Sequence, residues 1–189
     1  MSNVLRKIAF FGIAGDTSYT SSNAIQHIRG VPRSSGSELY NVMERYEDTG
    51  NKGNMIHGEA PMRIFEMDRE NSCYISIESL IVNSGWSPKK VADVINSTFD
   101  LVVYSTANSI RPNFDPGATA TILELLSIDF IVLGMGMQNP LPPSTEPLYT
   151  SLVHLLDICN QKAKIFGVRG ASTQAWLHSV GYNNALALG

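Results

Sequence analysis

Two arginines and a histidine are the residues of this chain best suited to chemistry on an anion. Arg169 stands between an apolar run, residues 164–168, and a helical pattern that begins at Ala171. A helix N-terminus carries about half a positive charge, which disfavours a cation there by about 0.3–1 kcal/mol. The compensating group is either a carboxylate of the protein, in a structural ion pair, or an anionic ligand. Arg111 could contact such a ligand bidentately, and His57 could titrate near neutral pH.

Polar residues are concentrated in loops that are predicted to follow strands or to precede helices. In an open parallel sheet, ligands bind beyond the carboxyl ends of the strands. The candidate residues in these loops are Asp16, Asn51, Lys52, Asn54, His57, Glu59, Arg111, Asn113, Asp115, Gln138 and Arg169. Structural readings stay open beside the functional ones: turn formation for the asparagines, and an exposed or backbone-bonded loop position for Arg111 and His57.

Strands and helices that alternate along the chain must position these residues. Apolar runs predict six strands, at residues 7–13, 73–77, 101–104, 130–134, 164–168 and 185–188. A helical pattern over 171–180 ends at Gly181, a typical C-terminal stop. This alternation predicts an α/β fold, with a Rossmann-like parallel sheet covered by helices on both faces.

Capping residues and prolines mark the predicted helix starts. Ser87-Pro88 and Asp115-Pro116 each place a capping side chain before a proline, which predicts helices to about residues 97 and 127. Pro61 is predicted in the first turn of a helix that follows a glycine-punctuated loop. The other predicted elements are helices over 37–47 and 146–161, a helical turn around 24–28, and loops over 50–59 and 135–145.

Size and composition exclude several classes of function. A chain of 189 residues suits a single domain, and its 43% hydrophobic content is that of an ordinary globular protein. The net charge of −3 provides no basic surface for nucleic acid. The longest apolar stretch, 130–137, is too short to span a bilayer, and the run after Arg6-Lys7 reads as a strand rather than a signal peptide. Cys73 and Cys159 match no metal-ligand spacing and are expected to be buried, reduced thiols of a cytoplasmic protein.

A set of short motifs carries a family resemblance. Its last part consists of Val168, Arg169, Gly170, Thr173, Leu177, Gly181 and Asn184. In this order the residues resemble the V-R-x-x-x-(S/T)…L…G…N segment of polysaccharide pyruvyl transferases. Upstream, Asn51-Lys52-Gly53-Asn54 is similar to that family's N-x-G-D, with Asn54 where the family commonly has Asp. The resemblance also takes in residues 132–138 and covers most of the chain, from about Asn51 to Gly189.

The resemblance implies an enzyme of polysaccharide biosynthesis that needs no cofactor or metal. Such an enzyme transfers a pyruvyl group, as a ketal, from phosphoenolpyruvate to a saccharide hydroxyl. Residues 1–189 would be the N-terminal, acceptor-side half of a two-domain, glycosyltransferase-B-like enzyme, without its second domain and inactive alone. His57 and Arg169 are the expected catalytic residues. The expected substrate-binding residues are Asn51, Asn54, Glu59, Arg111, Asn113 and Gln138.

Two alternatives stay open from the sequence. A glycosyltransferase that uses a nucleotide sugar would show the same alternation of strands and helices, because fold does not decide function. A non-catalytic binding or assembly domain is the other alternative. A chain that stops at a strand would leave a sheet edge or a cleft face uncovered, so self-association into a homo-oligomer is expected.

Overall fold

A seven-stranded sheet runs through the computed structural model, which describes residues 5–12, 25–27 and 52–188. The strands are β1 (Ile8–Gly12), β2 (Ile25–His27), β3 (Cys73–Ile75), β4 (Leu101–Ser105), β5 (Asp129–Met135), β6 (Ile165–Val168) and β7 (Ala185–Ala187). Their spatial order is β2-β3-β1-β4-β5-β6-β7. Six strands are parallel, and β2 joins antiparallel to β3 at one edge. The prediction of a Rossmann-like α/β fold is confirmed.

Helices cover both faces of this sheet. Within the described residues the α-helices are α1 (Lys52–Ile64), α2 (Pro88–Thr98), α3 (Gly117–Glu124), α4 (Thr150–Lys162) and α5 (Ala171–Ser179), and a π-helical segment spans Ser79–Asn83. The alternation of side chains along β1 separates two cores. Ala9 and Phe11 join the larger core, to which α2, α3, α4 and α5 contribute. Ile8 and Phe10 join the smaller core, together with Met62 of α1.

The strand order changes direction between β1 and β4, because the strands before β4 lie on one side of β1 and those from β4 onward lie on the other. After β1, strands β2 and β3 follow on one side of it, and from β3 the chain crosses back to β4 on the other side. The carboxyl ends of β1 and β4 therefore form the topological switch point, where open α/β sheets place their ligand sites. Gly12 ends β1 opposite Ser105 in the parallel register. Its φ of +107° favours glycine.

The predicted capping devices are present at two helix ends. The Ser87 hydroxyl accepts a hydrogen bond from the Lys90 backbone N–H at 3.2 Å, and Pro88 occupies the first turn of α2. After α5, Gly181 has a φ of +100°. The N–H of Tyr182 donates to the Leu177 carbonyl at 2.8 Å. This is the Schellman arrangement that glycine makes possible after a helix.

The predicted loop over residues 50–59 is wrong, as is the position of Pro61 in a first turn. Residues 52–64 form one helix, α1, with Pro61 inside it. Local preference favoured a loop, because glycine costs about 1 kcal/mol in a helix and an interior proline about 3 kcal/mol. The burial of Pro61 and Met62 shows that packing on the sheet outweighs these costs.

Other elements also differ from prediction. The helical turn predicted around residues 24–28 is wrong, because Ile25–His27 pairs with β3 as a strand. Helix α3 ends at Glu124 rather than near residue 127, and Lys162 Nζ donates to the Glu124 carbonyl at 2.6 Å. Helix α4 begins at Thr150 rather than 146, because the preceding Tyr149 is extended. The predicted helix over 37–47 lies outside the described residues.

Part of the sheet face on the α1 side is exposed where β6 and β7 lie. The solvent-exposed fractions of the residues here are 38% for Ile165, 50% for Leu186 and 57% for Leu188. Cys73 and Cys159 are free and buried, as predicted, and burial raises the pKa of Cys73 to about 12. No helix among the described residues is both long and apolar enough to cross a bilayer.

We expect Gly12→Ala to destabilise the fold far more than Gly85→Ala. Both glycines have positive φ, so each alanine costs about 1–2 kcal/mol in backbone strain. A Cβ at residue 12 would also overlap the Ser105 carbonyl oxygen, whereas one at residue 85 meets no atom within 4 Å. Urea unfolding should show an additional loss of about 2 kcal/mol for Gly12→Ala. Equal losses for the two variants would contradict this account of the β1–β4 contact.

Candidate active site at the carboxyl edge of the sheet

Main-chain hydrogen bonds join the loops that follow β4 and β5. The N–H of Gly136 donates to the Ala107 carbonyl at 2.6 Å, and the N–H of Ile110 donates to the Gly136 carbonyl at 3.0 Å. A parallel bridge between Ile110 and Met137 extends the pairing of the two strands beyond their ends. The two loops are therefore held in register at the carboxyl edge of the sheet.

Arg169 follows β6 at this edge, and three strands determine where it lies. Its backbone N–H donates to the Met135 carbonyl at 2.9 Å. Its side chain passes over Gly136, where an added Cβ would lie 3.2 Å from both Cβ and Cδ of the arginine. Its Nη1 then donates to Asn108 Oδ1 at 2.7 Å. Among the described residues, the hydrogen-bond partner of this guanidinium is thus a neutral amide and not a carboxylate.

Arg111 and Gln138, which were predicted separately, are in contact. Arg111 Nη1 donates to Gln138 Oε1 at 3.1 Å, and its guanidinium carbon lies 5.6 Å from the centre of the Phe114 ring. Two buried polar atoms of the same loop, Arg111 Nε and Ser109 Oγ, have no hydrogen-bond partner among the described residues. Such atoms are uncommon in folded proteins, because an unmade buried hydrogen bond is costly.

His57 reaches the same edge from α1. This helix runs from the carboxyl edge toward the start of β1, where Met67 bridges to Arg6. A Cβ added at Gly134 would lie 3.1 Å from His57 Nδ1, so the glycine provides room for the ring. Burial lowers the pKa of His57 below its ordinary value of 6.5, and the positive charge of Arg169 lowers it further. His57 is therefore neutral at neutral pH and can accept a proton.

The residues brought together here form what we call the rim. The rim consists of His57, Asn108, Arg111, Gly134, Gly136, Gln138 and Arg169. It thus contains four of the predicted site residues, and both arginines lie on one margin of the sheet. Asn108 was not singled out in the sequence, although it lies in the same loop after β4 as Arg111.

The remaining predicted site residues are not among the rim residues. Asn54 and Glu59 are backbone positions of α1, Asn113 is exposed in the turn after Arg111, and Asn51 and Asp16 lie outside the described residues. Asp115 Oδ1 accepts hydrogen bonds from Ser151 Oγ at 2.6 Å and from the Gly117 N–H at 3.0 Å. These bonds lower the pKa of Asp115 and tie α3 to α4, which is a structural role.

Comparisons with protein-family models, with curated proteins and with solved structures each find no match for this chain. Within the described ranges, no three His, Cys, Asp or Glu side chains lie close enough together to hold a metal ion. Fold and site together define a Rossmann-like α/β protein whose carboxyl edge carries two guanidinium groups and a neutral imidazole.

We expect Arg169→Gln to raise the pKa of His57, because the substitution removes the positive charge that opposes protonation. The pKa should stay below 6.5, because the larger cause, burial, remains. Arg111→Gln is the matched control and should leave the His57 pKa unchanged. Titration of the histidine ring signals by NMR gives the His57 pKa in both variants. Equal pKa shifts in the two would contradict the conclusion that the charge of Arg169 lowers this pKa.

The stability of the protein should also depend on His57. Because its pKa is lower in the folded chain than in the unfolded chain, protonation favours unfolding. The contribution of His57 is therefore complete above pH 6.5 and is lost as the pH falls below that value. Urea unfolding at pH 7.5 and 5.5 should show a larger loss for the natural protein than for His57→Gln. Identical losses would show that the imidazole is not held in an unfavourable environment for its charge.

Proposed function

We propose that this chain is part of a pyruvyl transferase, an enzyme that uses phosphoenolpyruvate as donor and a saccharide as acceptor. The observation that carries the proposal is the placement of Arg111, Arg169 and His57 at one edge of a parallel sheet. The motif resemblance supports the same reaction, since Arg169 is part of the motif. On this proposal residues 1–189 are the acceptor-side half of a glycosyltransferase-B-like, cytoplasmic enzyme.

The guanidinium of Arg169 suits a phosphate or carboxylate of the donor. It has five N–H donors, and the described residues engage its side chain through Nη1. Helix α5 begins directly after it, with Gly170 at the N-cap, no side-chain cap and no acidic residue in the first turn. The cation and the helix N-terminus together favour an anion nearby. The first turn of α5 does not supply one, because it contains no carboxylate. Departure of phosphate requires this kind of charge stabilisation.

Ketal formation requires a base for the acceptor hydroxyl. Two C–O bonds form at C2 of the donor as two acceptor hydroxyls add, and the C–O bond to phosphate breaks. One hydroxyl proton is balanced by protonation of C3, and the other leaves with phosphate. A neutral imidazole at the rim can accept a hydroxyl proton, and the lowered pKa of His57 keeps it in that form at neutral pH. We assign His57 this role.

The acceptor is assigned to the Arg111 side of the rim. Gln138 is exposed, and its amide oxygen accepts a hydrogen bond from the Arg111 guanidinium at 3.1 Å. Sugars are bound through such amide and guanidinium donors and acceptors. Asn113, also exposed, follows in the same loop and stays a predicted substrate-binding residue. Roles for Asn51, Asn54 and Glu59, and self-association of the protein, likewise stay predictions.

The test is phosphate release from phosphoenolpyruvate by the full-length protein in the presence of saccharide acceptors. We expect Arg169→Gln to lower kcat/KM by about 100-fold or more, as for the loss of a donor that stabilises developing charge. Lys89→Gln is the charge-matched control, because Lys89 pairs with Asp93 on the exposed surface of α2. Its activity should equal that of the natural protein.

Absence of acceptor-dependent phosphate release by the folded, full-length protein across a broad panel of saccharides would contradict the proposal. Saturable binding of a nucleoside diphosphate at the rim, abolished by Arg169→Gln and not competed by phosphoenolpyruvate, would instead favour a nucleotide-sugar glycosyltransferase. Both measurements use the same pair of variants, so they separate the two enzyme classes directly.

A further inference from the structure

We propose that Asn108 is a positioning residue, which holds the Arg169 guanidinium at the rim in the orientation that binds the anionic donor. The inference rests on the proposed function in assigning the anion to Arg169. The contact itself joins residues 61 positions apart, with Arg169 Nη1 donating to Asn108 Oδ1 at 2.7 Å. A distance this short is typical of a hydrogen bond strengthened by charge.

The chemistry of the side chain explains why an amide serves this purpose. A carboxylate at residue 108 would orient the guanidinium equally well, but its negative charge would compete with the ligand for the same cation. An amide oxygen accepts one N–H and adds no net charge. The remaining N–H donors of Arg169 are then available to phosphate or carboxylate oxygens, for which the planar guanidinium is suited.

Backbone hydrogen bonds on either side of Asn108 hold this residue in position for its contact with Arg169. The N–H of Ser109 donates to the Ala107 carbonyl at 2.9 Å, which makes a tight turn at residue 108. Hydrogen bonds from Gly136 to Ala107 and from Ile110 to Gly136 anchor the residues on either side of this turn. Asn108 therefore lies at the tip of a turn that is fastened to the neighbouring loop.

Gly136 supports the arginine from below. An added Cβ there would lie 3.2 Å from Cβ and Cδ of Arg169, so the aliphatic stem rests on bare backbone. Support at the stem and a hydrogen bond at the tip restrict a long side chain that is otherwise flexible and exposed. Restricting it before the ligand arrives reduces the entropy lost on binding.

The test compares Asn108→Ala, which releases the arginine, with Asn108→Asp, which holds it but neutralises its charge. Asn183→Ala is the control, because Asn183 is exposed, lies outside the rim, and donates a hydrogen bond from its side chain to the nearby Gly181 carbonyl at 3.5 Å. Calorimetry gives the affinity of the full-length protein for inorganic phosphate, steady-state kinetics give KM and kcat for phosphoenolpyruvate, and NMR gives the pKa of His57.

We expect Asn108→Ala to weaken phosphate binding about 10-fold and to raise the KM for phosphoenolpyruvate similarly, as for the loss of one hydrogen bond to a charged group. Asn108→Asp should weaken phosphate binding at least as much and should also raise the pKa of His57. Asn183→Ala should match the natural protein in all three measurements, and thermal unfolding should show each variant to be folded.

Two results would overturn the inference. One is phosphate affinity in Asn108→Ala equal to that of the natural protein. The other is natural phosphate affinity in Asn108→Asp, which would show that the neutrality of the amide is irrelevant. Phosphate affinity and the His57 titration do not require pyruvyl transfer. Absence of transfer, with both measurements as expected, would therefore reject the proposed reaction and leave the role of Asn108 intact.

Discussion

The hydrogen bonds between the loops after β4 and β5 are the constraint on which the whole rim depends. They continue the parallel pairing beyond the strands, with Gly136 donating to Ala107 and Ile110 donating to Gly136. Isolated loops at a sheet edge would place side chains loosely, because each residue of free backbone carries about 1–2 kcal/mol of conformational entropy. Joined in this way, the loops continue the pairing of β4 and β5 to the positions of Asn108 and of Gly136, which lies under Arg169. The site is thus an extension of the sheet.

The positive charge of Arg169 determines the electrostatics of the rim. Arg169 lies beside the N-terminus of α5, where a cation is disfavoured, and its field lowers the pKa of His57. Both effects are unfavourable, and among the described residues no carboxylate pairs with this guanidinium. An anion bound to Arg169 would relieve both effects at once. It would also bring the His57 pKa closer to neutrality, where an acid or base is most effective. On the proposed function, the same arrangement therefore favours both anion binding and proton transfer.

The sequence predicts the sheet well and the rim only in part. The six parallel strands are recognisable because their apolar runs are nearly continuous. Both faces are buried along β3 and β4, whereas β6 and β7 expose Ile165 and Leu186 on one face. Strand β2 was missed because three residues at an edge acquire their structure from pairing with β3. His57 was placed at the correct edge on the wrong element, because the packing of Met62 makes a helix of a glycine-rich segment. The Asn108–Arg169 contact could not be predicted, since it depends on the register of β4, β5 and β6.

Two glycines at the carboxyl edge, Gly134 and Gly136, let side chains of the rim lie close to the backbone. Gly134 has a φ of +78°, and a Cβ there would meet the Thr106 carbonyl oxygen at 2.7 Å and His57 Nδ1 at 3.1 Å. Gly136 leaves the same kind of room under Arg169. Neither glycine needs to cradle a phosphate to matter, because each lets a reactive side chain approach the backbone. Any other residue at 134 would displace the imidazole or the β4 loop. The geometry of the rim therefore depends on glycine at residues 134 and 136, because a larger side chain there would crowd His57 or Arg169.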